Sequence, residues 1–120
     1  MHESGEMYLE TILILGKKKQ TVRATDVAEA MGLTKPSVSR ALGRLRADGC
    51  ITAGADGHIA FTDRGREIAE KIYERHRVLT AVLMSLGVDE ETASADACKM
   101  EHDLSDRTFE IIKARVRGAE

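Results

Sequence analysis

The order of elements between residues 23 and 61 constrains the fold more than any other feature of this sequence. The segment "RATDVAEAMG" has the pattern of a short helix that ends at Gly32, and "TKPSVSRALGRLRADG" predicts a second helix, capped by Thr34 and closed by Gly49. In the next segment, "CITAGADGHIAFT", two apolar stretches flank Asp56-Gly57, a dipeptide typical of a tight hairpin turn. Helix, short turn, helix and hairpin in this order predict a winged helix-turn-helix.

Basic residues are concentrated in the second helix of this motif, although the net charge of the whole chain is −2. Residues 33 to 47 contain four basic side chains and no acid, whereas residues 88 to 106 contain seven acids and one lysine. The second helix of such a motif enters the DNA major groove, which is about 12 Å wide, with its N-terminal residues facing base edges. We therefore expect DNA contacts from Lys35, Pro36, Ser37, Ser39, Arg40 and Arg44.

The residue types suggest how these contacts divide between bases and phosphates. Arg40 has the paired donors that recognise guanine, Pro36 is suited to a thymine methyl group, and Ser37 can reach a base or a phosphate. Phosphate contacts are expected from Arg44, Arg46 and His58. A solvated helix face, or a winged helix that binds another protein, would carry the same arginines, but the absence of acids from this helix favours DNA.

Helical patterns occupy the rest of the chain. The segment "GEMYLETILILG" predicts a helix over residues 5–16 with Gly16 as its C-terminal stop, and a long helix is expected from Thr62 to Gly87. A further helix over residues 88–104 is capped by Asp89, and a last one begins at Ser105. The predicted fold is mainly α with a small β wing: a winged helix-turn-helix domain over residues 1–62, then a helical dimerisation domain over residues 63–120.

The composition is that of a soluble globular protein, with 42% hydrophobic and 32% charged residues. Only 3% of the 120 residues are aromatic and none is Trp, so the core is small and a homodimer would help to stabilise it. No apolar run approaches membrane-spanning length, and no signal-peptide pattern is present. Two cysteines are too few for a disulfide framework. We expect a cytoplasmic protein with reduced thiols and no membrane partner.

A second group of residues with distinctive chemistry lies in the acidic segment "ADACKMEHDLSD". In a helix, Cys98, Glu101 and His102 share one face, because positions i, i+3 and i+4 are neighbours there. A thiol, a carboxylate and an imidazole that converge in this way suggest a site for a divalent transition metal. Taken singly, the cysteine is explained as a small core residue and the Glu-His pair as solvated. Three ligands also do not complete a metal site, so other segments must supply the rest.

The segments "SGEMYLETI", "ERHRVLTAVLMSLGVDEE" and "ACKMEHDLSD", together with the winged helix, resemble the diphtheria-toxin repressor family of metal-dependent transcriptional regulators. The resemblance covers essentially the whole chain, and the C-terminal motif is its most specific part. It implies an iron-type or a manganese-type regulator. Like the manganese branch, this chain is expected to lack the SH3-like domain that is common in the iron branch.

The resemblance also implies a set of metal ligands. The primary site of the iron branch corresponds here to Met7, Cys98, Glu101 and His102, whereas the manganese branch has an aspartate at the position of Met7 and a glutamate at that of Cys98. Two sulfur ligands disfavour Mn²⁺ relative to Fe²⁺, so the primary site is predicted to be iron-type. Other divalent transition metals are expected to bind in vitro.

A second metal site is less completely matched. His76 corresponds to a histidine ligand of both branches, and Glu10, on the same helix face as Met7, corresponds to a ligand of the manganese branch. Thr80 and Ser94 stand where the iron branch has its other second-site ligands, and neither is a good metal ligand. A second cation would therefore depend on Glu10 and His76, with Glu101 as a ligand that it could share. Otherwise, His76 simply pairs with an acid on a neighbouring helix.

The expected function is a metal-activated transcriptional repressor, a homodimer that binds a palindromic double-stranded operator. Two alternatives from other classes are a winged-helix regulator without metal, in which Cys98 senses oxidants, and a partner-binding module. An enzyme is not expected, because the sequence contains no HExxH motif, no activated serine and no phosphate-binding glycine loop, and we expect no small organic substrate.

Overall fold

The computed structural model of the chain describes residues 3–119. It contains six helices and one two-stranded sheet within that range. In chain order these are α1 (Glu3–Lys18), α2 (Ala24–Met31), α3 (Lys35–Ala47), β1 (Ile51–Ala53), β2 (Ile59–Phe61), α4 (Asp63–Ser85), α5 (Glu90–Met100) and α6 (Asp106–Ala119). The described residues form two compact units, the first up to Glu70 and the second from Lys71 onwards. The prediction of a mainly α fold with a small β wing is confirmed.

Three helices form the core of the first unit. Leu9 of α1, Val27 of α2 and Val38 of α3 are each fully buried, and the three helices contact one another pairwise. The predicted end of α2 at Gly32 is confirmed, because this glycine adopts the left-handed conformation with φ +65°. The predicted cap of α3 is also confirmed: the Thr34 hydroxyl accepts a hydrogen bond from the Ser37 N–H at 3.3 Å.

The predicted stop of α1 at Gly16 is wrong, because α1 continues to Lys18. A glycine inside a helix costs only about 1 kcal/mol relative to alanine. The buried side chains of Ile12 and Leu13, one turn earlier, anchor this end of the helix in the core. Lys17 and Lys18 then place positive charge at the C-terminal end of the helix, where the helix dipole favours it.

The predicted hairpin is confirmed, with a different turn. Strands β1 and β2 pair antiparallel, Ile51 opposite Phe61 and Ala53 opposite Ile59. The connection is not a two-residue turn at Asp56-Gly57: the Gly57 N–H donates to the Gly54 carbonyl at 2.9 Å, so Asp56 lies inside a four-residue turn that ends at Gly57 with φ +83°. The Asp56 carboxylate holds this wider loop through contacts described below.

The second unit contains the later part of α4, with α5 and α6. Leu79 of α4, Ala97 of α5 and Phe109 of α6 are buried. The predicted caps are confirmed: Asp89 accepts a hydrogen bond from the Thr92 N–H at 3.0 Å, and the Ser105 hydroxyl accepts one from the Thr108 N–H at 3.1 Å. No helix within residues 3–119 combines the length and the apolar character needed to cross a bilayer.

The predicted extent of the fifth helix is wrong at its C-terminal end, because α5 ends at Met100 and residues 101–104 form a turn. Glu101 still has helical backbone angles, and its N–H donates to the Ala97 carbonyl, but the chain leaves the helix after it. The carbonyls of Glu101 and Leu104 accept hydrogen bonds from the Arg75 side chain. His102 therefore lies on a turn that a side chain of another helix holds.

Candidate metal centre and DNA-binding surface

The N-terminal half of α3 presents a basic, solvent-accessible surface in the first unit. Of the residues predicted to contact DNA, Lys35, Pro36, Ser39, Arg40 and Arg44 are exposed. Val38, Ala41 and Leu45 occupy the opposite, buried face of the helix. The helical period therefore separates a face that anchors α3 from a face that is free to enter a groove.

Ser37 differs from the other predicted contacts because it is half-buried. Its hydroxyl accepts a hydrogen bond from the Thr34 hydroxyl at 2.9 Å and lies 3.5 Å from a guanidinium nitrogen of Arg40. Ser37 thus takes part in the cap of α3 and stands beside the Arg40 side chain. Sequence spacing alone does not distinguish this local role from a DNA contact, and the contact remains a prediction.

The loop of the wing is tied to the start of α2 through Asp56, a connection that the sequence did not reveal. Arg23 donates to the Asp56 carbonyl and carboxylate, both at 3.3 Å. On the other side, the His58 ring Nδ1 and the Asp56 carboxylate are 2.5 Å apart, and the His58 N–H donates to the same oxygen. The ring and backbone hydrogen bonds from His58 lower the pKa of Asp56 to about 2. The predicted phosphate contact His58 therefore sits beside a carboxylate.

The second unit contains a carboxylate between two imidazoles, the carboxylate-imidazole cluster of Glu101, His76 and His102. Glu101 is fully buried. One of its oxygens lies 2.9 Å from Nδ1 of His76, and the other lies 3.4 Å from Nε2 of His102, whose side chain is 1% exposed. Burial of a carboxylate is costly unless cationic or hydrogen-bonding groups surround it. The Glu101 carboxylate thus contacts both His102, the next residue, and His76, which lies 25 positions earlier in the chain.

The second nitrogen of His76 is also engaged. Nε2 lies 3.2 Å from the hydroxyl of Ser94 on α5. Both ring nitrogens of His76 thus have a partner, the Glu101 carboxylate at Nδ1 and the Ser94 hydroxyl at Nε2. Thr80, the other residue at an iron-branch ligand position, donates its hydroxyl hydrogen to the His76 carbonyl within α4.

The remaining predicted ligands divide between the two units. Cys98 is half-buried on α5, one turn before Glu101. Met7 and Glu10 lie one turn apart on α1 of the first unit, Met7 half-buried and Glu10 buried. Within the described part of the chain, one carboxylate oxygen of Glu10 is buried without a hydrogen-bond partner. Such an oxygen is rare in a folded protein, and a cation or an ordered water would satisfy it.

Arg75 is a residue of the second unit that the sequence reasoning missed. Only 5% of it is exposed, and it directly precedes His76 on α4. A signal was present: Arg75 lies three residues after Ile72 and four before Leu79, both buried, which places an arginine on the apolar face of its helix. A buried arginine must have partners, and its contacts identify a structural role near the cluster.

An apolar groove of about 420 Å³ lies between the C-terminal end of α4 and the face of α6 in the same unit. It is lined by Val82, Ser85, Leu86, Ile111, Ile112, Arg115 and Val116. Leu86 is 75% exposed and Ile111 is 59% exposed, and the nearby Met84 is 43% exposed. Exposed large apolar side chains grouped in this way mark a surface for association with another protein.

The first unit is a winged helix-turn-helix in which α3, the recognition helix, is basic. The second unit contains a buried carboxylate between imidazoles. Together these features indicate the class of metal-responsive DNA-binding regulators. Comparison with known proteins agrees with this class. The family model of the iron dependent repressor N-terminal DNA binding domain matches residues 1–59. The model of the iron dependent repressor metal binding and dimerisation domain matches residues 62–119. The chain belongs to the diphtheria-toxin repressor family of metal-dependent transcriptional regulators, as the sequence resemblance predicted.

Its relatives include iron-dependent and manganese-dependent proteins. Over 115 residues the chain is 34% identical to an uncharacterised HTH-type transcriptional regulator of Methanocaldococcus jannaschii, covering 94% of this chain and 92% of that protein. Over 105 residues it is 31% identical to the iron-dependent repressor IdeR of Mycobacterium tuberculosis, covering 87% of this chain and 46% of that one. Over 106 residues it is 32% identical to the transcriptional regulator MntR of Escherichia coli O157:H7, covering 88% and 68%.

A solved structure of a manganese-dependent transcriptional repressor in complex with manganese superposes with a TM-score of 0.85 at 27% identity, over 92% of this chain and 51% of that one. The chain thus spans nearly all of the archaeal regulator but about half of IdeR and of this solved relative. The relatives confirm the fold and the family of metal-dependent transcriptional repressors. They do not select between iron and manganese.

Proposed function

We propose that this chain is a metal-activated DNA-binding repressor that responds to Fe²⁺, with Mn²⁺ as the alternative metal, and that acts as a homodimer on a palindromic operator. The observation that carries the proposal is the buried Glu101 carboxylate flanked by the imidazoles of His76 and His102. This cluster occurs in a chain whose other unit is a winged helix-turn-helix with an acid-free recognition helix. Its relatives are regulators of the same family.

The donor set fits a divalent transition metal. In the second unit, the imidazoles of His76 and His102, the carboxylate of Glu101 and the thiol of Cys98 are borderline, hard and soft donors respectively. In the first unit, Met7 adds a thioether, and the buried, unpartnered oxygen of Glu10 adds a carboxylate donor. When bound, the cation supplies the positive charge that offsets these buried carboxylates and makes their burial favourable. The proposed ligands are Met7, Cys98, Glu101 and His102 at the primary site, and Glu10 and His76 for a second cation.

The two sulfur donors favour iron over manganese within this proposal. Met7 and Cys98 are soft ligands, and Mn²⁺ prefers oxygen and nitrogen donors more strongly than Fe²⁺ does. The buried carboxylates of Glu10 and Glu101 favour Mn²⁺ instead, because hard oxygen ligands suit that ion. Substitution of the two sulfur ligands therefore tests most directly whether the protein responds to Fe²⁺ rather than to Mn²⁺.

The resemblance implies ligands on α1 as well as in the helical unit, and we propose that metal binding is coupled to DNA binding. Met7 and Glu10 belong to α1 of the DNA-binding unit, whereas the other four ligands belong to the helical unit. A dimer must present two recognition helices roughly 34 Å apart, or at a compatible spacing, to read a palindrome. Coupling of this kind typically contributes about 1–3 kcal/mol, a 5- to 150-fold change in affinity.

Anaerobic selection of duplex DNA by the metal-stripped protein, with and without Fe²⁺ or Mn²⁺, tests this function. We expect a palindrome to be enriched only with metal and more strongly with Fe²⁺, and to be lost in Met7→Ala and Cys98→Ala. Met100→Ala is the matched control, because it removes a half-buried sulfur of α5 from outside the proposed ligand set. Enrichment of the same palindrome without metal would refute the metal switch and leave a metal-independent winged-helix regulator.

Substitution of Arg40 tests the proposed base contact. Arg40 is exposed on α3 and extends beside Ser37 near the N-terminus of that helix. We expect Arg40→Ala to lower affinity for the selected operator by about 1–3 kcal/mol and to relax the preference at one base pair. Arg44→Ala is expected to weaken binding to all sequences alike and to reduce the salt dependence by about one phosphate contact. Equal loss on operator and random DNA in Arg40→Ala would assign Arg40 to a phosphate instead.

A further inference from the structure

Glu101 is held at both ends by consecutive residues of α4. His76 contacts its carboxylate, with 2.9 Å between Nδ1 and the oxygen. Arg75, the preceding residue, donates from Nη1 to the Glu101 main-chain carbonyl at 3.1 Å. The side chain that is proposed to bind metal and the backbone that carries it are therefore fixed by adjacent positions on one helix.

The same guanidinium spans the whole turn between α5 and α6. Nη1 also donates to the Leu104 carbonyl at 2.6 Å, and Nη2 donates to the carboxylate of Asp106, the first residue of α6, at 2.5 Å. The guanidinium carbon lies 5.2 Å from the centre of the Phe109 ring. These contacts join the end of α5, the turn and the start of α6 to α4. Only a planar group with several donors in fixed directions can make all of them at once.

The charge of this buried arginine is balanced within the unit. Arg75 and Lys71 both form ion pairs with the same carboxylate oxygen of Asp106, and Nζ of Lys71 lies 2.8 Å from it. The hydrogen bond from Lys71, with its charge, and the charge of Arg75 lower the pKa of Asp106 below its usual value. Asp106 is therefore ionised at neutral pH, and Arg75 does not place an uncompensated positive charge beside the carboxylate-imidazole cluster.

We propose that Arg75 is a positioning residue for the metal site: by fixing the turn of residues 101–104, it orients Glu101 and His102 in the metal-free protein. This inference rests on the proposed function. His102 lies inside the turn, between the two carbonyls that Arg75 binds, so loss of the guanidinium frees the backbone of both ligands. Groups that orient metal ligands typically change metal affinity by about 10- to 100-fold when they are removed.

The test compares Arg75→Lys and Arg75→Met with wild type in metal affinity and in amide hydrogen exchange of the metal-free protein. Lysine keeps the positive charge but cannot bind two carbonyls and a carboxylate together, so we expect both variants to lose about 10- to 100-fold in affinity for Fe²⁺ or Mn²⁺. Exchange of amides in residues 101–104 should accelerate in Arg75→Lys while circular dichroism remains that of a folded helical protein. These two results together would support the positioning role.

Two controls separate positioning from general loss of stability. Lys71→Met removes the other partner of Asp106 without touching the turn carbonyls, and Ile72→Val removes one methyl group from the core of the same helix. Both should bind metal within about twofold of wild type. A folded Arg75→Lys variant that binds metal like wild type would overturn the inference. Wild-type protein that binds neither metal would instead refute the proposed function, and the exchange measurement would still report whether Arg75 holds the turn.

Discussion

Glu101→Gln is expected to abolish the metal response of DNA binding while the protein remains folded. Glutamine has the shape of glutamate and can still accept a hydrogen bond from His76, but it lacks the negative charge that a cation requires. Since a buried carboxylate is costly to desolvate and the amide keeps the hydrogen bond, the metal-free variant should unfold at the same temperature as wild type or a higher one. The gain in operator affinity on adding metal, roughly 5- to 150-fold for a typical coupling, should disappear.

The measurement is operator binding by fluorescence anisotropy, at fixed salt concentration, with and without Fe²⁺ or Mn²⁺. Glu110→Gln, which neutralises an exposed glutamate of the same unit, is the matched control and should keep the full response. A Glu101→Gln variant that still gains operator affinity on metal addition would remove Glu101 from the ligand set. Calorimetric titration of each variant with metal distinguishes loss of metal binding from loss of its transmission to DNA.

Ile111→Glu is expected to convert the proposed homodimer to a monomer. Ile111 is 59% exposed and lines the apolar groove with Leu86, and we propose that a second copy of the chain covers this groove. In a two-fold symmetric dimer, each substitution occurs twice at one interface, so a glutamate here buries two charges against apolar side chains. Loss of one of two linked half-site contacts should weaken binding to a palindrome by about 10²- to 10⁴-fold.

Sedimentation of the metal-loaded protein measures the oligomeric state directly. Ala95→Glu, which adds the same charge at an exposed position of α5 outside the groove, should remain dimeric. Metal binding to each chain should persist in Ile111→Glu, because the carboxylate-imidazole cluster is built from other side chains. A dimeric Ile111→Glu variant would place the dimer interface elsewhere on the protein.

Local sequence signals predicted the boundaries that local chemistry sets. Thr34, Asp89 and Ser105 each satisfy an N–H of their own helix, and such short-range hydrogen bonds depend on spacings of three residues. Gly16 shows the limit of this reasoning, because its weak helix propensity was outweighed by the burial of neighbouring α1 side chains in the core. The end of α5 shows it again, since Arg75 accounts for that boundary from 26 residues away.

The candidate site likewise combines features that the sequence predicts with contacts that only the structure shows. The spacing of Cys98, Glu101 and His102 predicted that the C-terminal motif could bind a metal, and the basic composition of α3 predicted the DNA-binding face. The DNA-binding face follows from helical periodicity, whereas the metal motif follows from residue chemistry alone, because His102 lies on the turn after α5 and not on its helical face. Only the tertiary structure shows that His76 meets the Glu101 carboxylate, that Ser94 takes the other His76 nitrogen, and that Arg75 holds the turn below them. Contacts between helices depend on packing of distant segments, which no local pattern in a single sequence records.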